Sequence, residues 1–268
     1  HRDLHYPLRR QRQMCIRDRC GTCTLVINGK TRQSCSALID KLMQPITLQP
    51  LSKFPVVRDL AVDRSRMFEA LKRVKAWVPM DGYHDLGPGD KILPDHQRVA
   101  YTLSECMTCG CCVEACPQYS RDNNFLGAAA ISQARLFNMH PTGKLIANER
   151  LDTLMDDGGI AACGNAQNCV EVCPKDVAPM ERIVKMRDLA IEEGYTNTSG
   201  YRHTESFNDS IKKHGRLDET RLALESTGLL NISGLIDLAK IGIKSLFRGK
   251  LPPILPHRPK DMKKVTSI

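Results

Sequence analysis

The grouping of twelve cysteines constrains this 268-residue chain more than any other feature. Cys15, Cys20, Cys23 and Cys35 form one group, Cys106, Cys109, Cys111, Cys112 and Cys116 a second, and Cys163, Cys169 and Cys173 a third. A disulfide scaffold would be shorter and would spread its thiols. Clustered thiols behind an opening that does not read as an export signal suggest a reducing compartment and metal ligation instead. The rest of the chain has ordinary globular composition, 41% hydrophobic and 26% charged, which excludes disorder, collagen and coiled coil. Aromatic residues make up only 5%, with one Trp, so the core must rest on aliphatic side chains or on something other than side chains.

The second group spells CMTCGCCVEACP over residues 106–117, placing Cys106, Cys109, Cys112 and Cys116-Pro117 in the spacing CxxCxxCxxxCP. A short loop of this kind wraps three thiolates around one face of an iron-sulfur cube while its fourth Cys turns to a different cluster. The third group repeats half the idea, with Cys163, Cys169 and Cys173-Pro174, but Ala166 stands where the corresponding thiolate would be. One cluster is then expected to have only Cys116, Cys163 and Cys169 and to be a 3Fe-4S centre. The other, on Cys106, Cys109, Cys112 and Cys173, is expected to be 4Fe-4S. Cys111 is left over and reads as a buried small hydrophobe. Structural zinc is the competing use of paired thiolates, and a zinc-stabilised nucleic-acid-binding or scaffold protein is the alternative of a different class. Zinc sites rarely interlock thiolates in this way with almost no intervening His.

Cys15, Cys20, Cys23 and the distant Cys35 match the plant-type spacing of a 2Fe-2S cluster. Thr24 to Ile27 is apolar and β-branched, Asn28-Gly29 is a strong hairpin signal, and residues 30–34 read as the return strand. A helix is expected over 66–78, with Met67, Leu71, Val74 and Val78 on one face, Trp77 beside them, and the charges of 66–75 on a solvated face. A Pro/Gly-dense linker over 79–95 separates this region from helices near 97–105, 128–138, 145–156 and 179–193. The chain is polar from Gly194 to about 215. Beyond it, Leu229, Ile232, Leu235, Ile236 and Ile243 beside Lys240, Lys244, Arg248 and Lys250 suggest an amphipathic helix docking on an anchor subunit or a membrane surface, or else capping its own domain.

Net charge is +9, but it lies at the ends: +4 over residues 1–19 and +7 over 240–268, leaving −2 between. A nucleic-acid protein would spread basic residues over a folded face with interleaved aromatics, so no nucleic-acid partner is expected. No apolar run is long enough to span a bilayer. His84, His96 and His140 read as solvated or locally bonded rather than as ligands. No nucleophile with a base, phosphate loop or paired acids stands out, so substrate chemistry is expected on a partner.

Three cluster motifs in this order resemble the iron-sulfur subunit of succinate dehydrogenase and fumarate reductase. The resemblance is carried by CGTCTLVINGKTRQSCSALID, AWVPMDGYHDLGPGD, CMTCGCCVEACP, RLFNMHPTG and CGNAQNCVEVCP, about two-thirds of the chain. It implies an α+β chain: a β-grasp ferredoxin domain over 20–78, incomplete at its start, and an all-helical two-cluster ferredoxin domain over 96–215, followed by a basic amphipathic tail over 216–268. The head, 1–19, reads as irregular and stands where the family pattern has about two strands of β-grasp before the first ligand. The implied activity is electron transfer from an FAD-containing flavoprotein subunit, through three clusters, to quinone at a cytochrome b-type membrane anchor. The implied location is peripheral, on the cytoplasmic face of the inner membrane. A fumarate reductase or heterodisulfide-reductase-like complex is the alternative, the latter suggested by the GKLPPILPHRPK ending. Arg121 and Gly164 stand where many ubiquinone-linked members place Trp and His, which makes a menaquinone-type enzyme compatible with the sequence.

Overall fold

A computed structural model of the chain describes residues 20–79, 91–228 and 231–250. The described residues divide into two compact units that part between Leu189 and Ala190, whereas the sequence placed the start of a separate tail at 216.

In the first unit, strands β1 (Thr24–Ile27) and β2 (Lys30–Gln33) form an antiparallel hairpin with Ile27 opposite Lys30 and Thr24 opposite Gln33. Asn28 and Gly29 both adopt positive φ, 48° and 74°, the two-residue turn whose twist matches its strands. Asn28 also ties the turn down: its Oδ1 accepts from Thr47 N at 2.7 Å and its Nδ2 donates to Met43 O at 2.8 Å. Strand β3 (Leu48–Gln49) adds to the other side of β1, giving the order β2-β1-β3. Strands β4 (Val56–Arg58) and β5 (Ala61–Val62) make a second small antiparallel pair.

Helix α1 spans Ser65–Arg73, shorter than its apolar periodicity suggests. It ends in a Schellman motif: Lys75 has φ 49°, Ala76 N donates to Leu71 O and Lys75 N donates to Lys72 O. A Lys rather than a Gly holds the left-handed position, so the stop carries no sequence flag. Met67, Ala70 and Val74 are buried, while Trp77 is 45% exposed and does not join them. The helical layer follows: α2 (Pro94–Ser104), α3 (Cys111–Glu114), α4 (Ala128–Met139), α5 (Ala147–Met155), α6 (Asn168–Glu171) and α7 (Pro179–Glu192). Every residue of α4 from Ala128 to Ala134 is buried, as expected of a helix enclosed on all sides. It touches α1, α2, α3 and α5. Small side chains allow that approach, and the two cysteine loops hang from the helices around it.

The second unit contains α8 (Ser199–His214), α9 (Glu219–Thr227) and α10 (Ile232–Phe247). Helix α8 falls on the segment that read only as polar. Its signals are at its ends: Thr198 accepts from Tyr201 N, and Gly215 closes it at φ 65°. Asp218 and Asn231 cap α9 and α10 in the same way. Leu235 and Leu238 of α10 are half-buried, whereas Ile232, Ile236, Ile243, Leu246 and Phe247 remain exposed on one stripe.

Candidate metal centres

The second and third cysteine groups fold into loops with one backbone pattern. Counted from the first Cys of each, the second and fourth positions beyond it have positive φ: Thr108 at 50° and Gly110 at 86°, Asn165 at 57° and Gln167 at 61°. Each loop then enters a four-residue helix, α3 or α6, that carries the next Cys of the motif. Cys116 N donates to Val113 O and Cys173 N to Val170 O, so both final cysteines leave their helices through the same turn. Arg187 of α7 braces the second loop, donating to Cys163 O at 2.8 Å, Ile160 O at 3.2 Å and Asn165 Oδ1 at 2.8 Å.

Two cavities lie beneath these loops. Cys106, Cys109, Cys112 and Cys173 line one, with Ala129 behind them and Cys111 at its wall. Cys116, Cys163 and Cys169 line the other, together with Ala166, Gln118 and Met180. The last Cys of each group therefore faces the cavity of the other. Among the described residues no three Cys, His, Asp or Glu side chains converge on the position of a single metal ion. Around a cluster, thiolates stand apart by the width of the inorganic core.

Burial and mutual proximity set the electrostatics of these thiols. Burial pushes the Cys106 and Cys112 thiols above their ordinary range, and the neighbouring thiols add to it. Cys169 is raised to about 11, first by burial and then by Cys163 and Cys116. Groups that resist ionisation because they are buried beside one another become thiolates when a cationic centre sits between them. That is the donor chemistry of an iron-sulfur cluster. Cys109 departs from the others: the Cys111 side chain beside it draws its pKa down and has its own raised. Cys111 is 1% exposed, with its Sγ 3.9 Å from Thr24 Oγ1.

In the first group, the hairpin returns the chain so that Ser34 N and Oγ both donate to Cys23 O at 3.1 Å, setting Cys35 beside the Cys20-Gly21-Thr22-Cys23 loop. Cys20 Sγ lies 3.1 Å from Thr22 Oγ1, and Cys35 Sγ 4.0 Å from Gln33 Oε1. Cys15, like the rest of the head and His84, lies outside the described residues. His96 is exposed on α2, and His140 Nδ1 accepts from Gly143 N at 3.2 Å, a local turn bond.

Several long-range contacts here have no sequence signature. Glu114, 9% exposed, accepts from Ser52 N, Ser52 Oγ and Lys53 N at 2.7–3.0 Å, joining the helical layer to the strand region. Arg64 donates to two carbonyls, Gly21 O and Cys109 O. Arg66, expected on a solvated face, instead lies 4.4 Å over the Tyr119 ring and donates to Ser120 O and Asn123 O. Aromatic and carbonyl partners displaced from it in sequence outweigh hydration of one guanidinium. Arg121 donates to Ser52 O and Phe54 O, and Gly164 leaves its place to Gln118, whose Nε2 would lie 2.7 Å from an added Cβ.

Residues 5–69 match a family model described as a 2Fe-2S iron-sulfur cluster binding domain, a match that takes in Cys15. Residues 102–177 match a 4Fe-4S dicluster domain. The succinate dehydrogenase iron-sulfur subunit of Bacillus subtilis is 60% identical over 61% of this chain and 64% of its own length. The fumarate reductase iron-sulfur subunit of Mycobacterium tuberculosis is 33% identical over 66% of this chain and 72% of its own. Among solved structures, a chain of the Mycobacterium smegmatis Sdh1 complex in the apo form superposes with a TM-score of 0.57 at 26% identity, covering 66% of this chain and 75% of that one. A small β region carrying two-iron ligand spacing, a helical layer with two facing cysteine cavities, and these relatives agree: the chain belongs to the family of succinate dehydrogenase and fumarate reductase iron-sulfur subunits.

Proposed function

We propose that this chain is the electron-transfer subunit of a succinate:quinone oxidoreductase, linking an FAD-containing flavoprotein to a membrane-anchor subunit of cytochrome b type. The observation that carries the reading is the exchange of final cysteines between two adjoining cavities, with the two-iron loop packed against the first. When bound, the clusters supply one-electron redox steps between the flavin and quinone. Cys106, Cys109, Cys112 and Cys173 hold the 4Fe-4S centre, and Cys116, Cys163 and Cys169 the 3Fe-4S centre, Ala166 offering no fourth thiolate. Cys20, Cys23 and Cys35, with Cys15, hold the 2Fe-2S centre.

Identity of 60% to a succinate dehydrogenase subunit supports succinate oxidation over fumarate reduction as the working direction. Among the described residues no helix is long and apolar enough to cross a membrane, which agrees with peripheral attachment, and we place the subunit on the cytoplasmic face of the inner membrane. The Arg121 guanidinium is taken up by two backbone carbonyls and Gly164 has no side chain, so neither supplies a Trp- or His-like quinone contact. A menaquinone is the proposed acceptor. Purification through a tag on this chain should bring down a flavoprotein and a haem-bearing anchor, with succinate-dependent reduction of a menaquinone analogue faster than of a ubiquinone analogue. A colourless protein with zinc in place of iron would refute the reading.

A further inference from the structure

Three contacts join the neighbourhood of the two-iron ligands to that of the four-iron ligands. Gly21, next to Cys20, lies so close to Cys109 that a Cβ built on it would be 2.6 Å from both Cys109 Cα and Cβ. Thr24, next to Cys23, has its Oγ1 3.9 Å from the Sγ of Cys111, the neighbour of Cys112. Gln33, whose Oε1 lies 4.0 Å from Cys35 Sγ, donates from Nε2 to Met107 Sδ at 2.9 Å, beside Cys106. Each described two-iron ligand thus has its own short crossing to the four-iron loop.

Crossings made by van der Waals contact and a sulfur acceptor are individually weak. Arg64 is the strong one. It precedes α1, is partly buried, and from Nη1 donates to Gly21 O at 3.2 Å and to Cys109 O at 3.1 Å, one carbonyl in each loop. Hydrogen bonds from a charged donor are about twice as strong as neutral ones, and the planar guanidinium fixes direction as well as distance. We propose that Arg64 is a positioning residue that clamps the two-iron loop onto the four-iron loop and thereby sets the electronic coupling between the first two clusters. The inference rests on the cluster assignment proposed above. Electron transfer between centres weakens exponentially with the gap between them, so the closest crossing, Gly21 against Cys109, dominates, and its closeness requires a residue without a side chain at φ +65°.

The test uses the assembled complex carrying the full chain, fully reduced, with electron paramagnetic resonance as the readout. In the parent, the two-iron signal should relax faster than an isolated centre because of the paramagnetic four-iron neighbour. Arg64→Met, which removes both hydrogen bonds, and Gly21→Ala, which keeps Arg64 but wedges the loops apart, should both slow that relaxation severalfold at full iron content. Arg64→Lys keeps the charge but loses the planar guanidinium that aims Nη1 at both carbonyls, and should fall between parent and Arg64→Met. Unchanged relaxation in Gly21→Ala and Arg64→Lys would overturn the proposal, and these two decide the matter if Arg64→Met fails to load its clusters. A parent that shows no two-iron or four-iron signal would overturn the cluster assignment instead.

Discussion

Replacing Ala166 by Cys should convert the third centre from three-iron to four-iron. Ala166 occupies the position in its loop that Cys109 occupies in the other, between two residues of positive φ in both cases. Arg187 already holds the loop by three hydrogen bonds, so a side chain can change without moving the frame. Ala166 is exposed and its neighbours' backbone strain is already present in the parent, so Ala166→Cys should alter the stability of the metal-free chain by no more than about 0.5 kcal/mol. For a unit of this size that is a melting shift of at most roughly 2 °C. The effect on the centre is much larger: one additional iron, loss of the three-iron resonance of the oxidised protein, and a lower reduction potential, since thiolate ligation lowers cluster potentials. Quinone reduction should slow as the terminal centre becomes a poorer acceptor. Ala166→Ser, similar in volume but without a thiolate, should keep the three-iron resonance and separates ligation from packing. The reasoning fails if the parent lacks that resonance after anaerobic preparation and holds four irons at the site, or if the Cys variant keeps the parent's signal unchanged.

Three further outcomes follow from the structure. Glu114→Ala leaves three donors from Ser52 and Lys53 without their acceptor, and should cost about 3 kcal/mol, a fall of roughly 6–12 °C in melting temperature; a fall under about 2 °C would mean that water replaces the carboxylate. Asp209 is held below the ordinary carboxylate range by the Lys213 ammonium, 2.7 Å away, so it stabilises the second unit above that range and loses the effect as pH falls through its lowered pKa. Melting curves of the parent and Asp209→Asn should therefore meet in acid and separate at neutral pH, and a constant difference across pH would refute the assignment. The exposed apolar stripe of α10 beside Lys240 and Lys244 should hold the full chain on vesicles containing phosphatidylglycerol but not on pure phosphatidylcholine. Ile243→Glu should abolish sedimentation with the vesicles and each Lys→Gln weaken it about fivefold, at roughly 1 kcal/mol per cation; equal binding to both vesicle types would refute a charge-guided contact.

The cluster region was legible because its determinants are local. The spacing within the second and third cysteine groups, the missing thiolate at Ala166, and Asn28-Gly29 are each contained in a dozen residues or fewer, and the hairpin forms over Thr24–Ile27 and Lys30–Gln33 as expected. Periodicity also located α4 and α7, which carry long apolar patterns. It overran the end of α1 because Lys75, not Gly, takes the left-handed turn. Helix α8 was missed because its composition is polar, although Thr198 and Gly215 mark both ends. Arg64, Arg66 and Glu114 were illegible for a different reason. Their partners lie more than forty residues away, and a charged side chain in a sequence looks the same whether it meets water or a buried carbonyl.

Arg150 shows what such contacts mean for assembly. It is fully buried, and its guanidinium donates to Lys75 O and Trp77 O from one side and to Asn138 Oδ1 and Gly143 O from the other. Neither set suffices alone, because a buried cation left with half its acceptors is strongly destabilising. The closed helical layer therefore needs residues 75–77 in place, where the turn that ends α1 presents the carbonyls of Lys75 and Trp77 to the guanidinium. The two halves of the first unit should consequently gain and lose structure together, in one cooperative transition, without a populated state in which one ferredoxin half is complete and the other open. For a chain that receives several clusters, this coupling should make the loading of one half felt in the stability of the other.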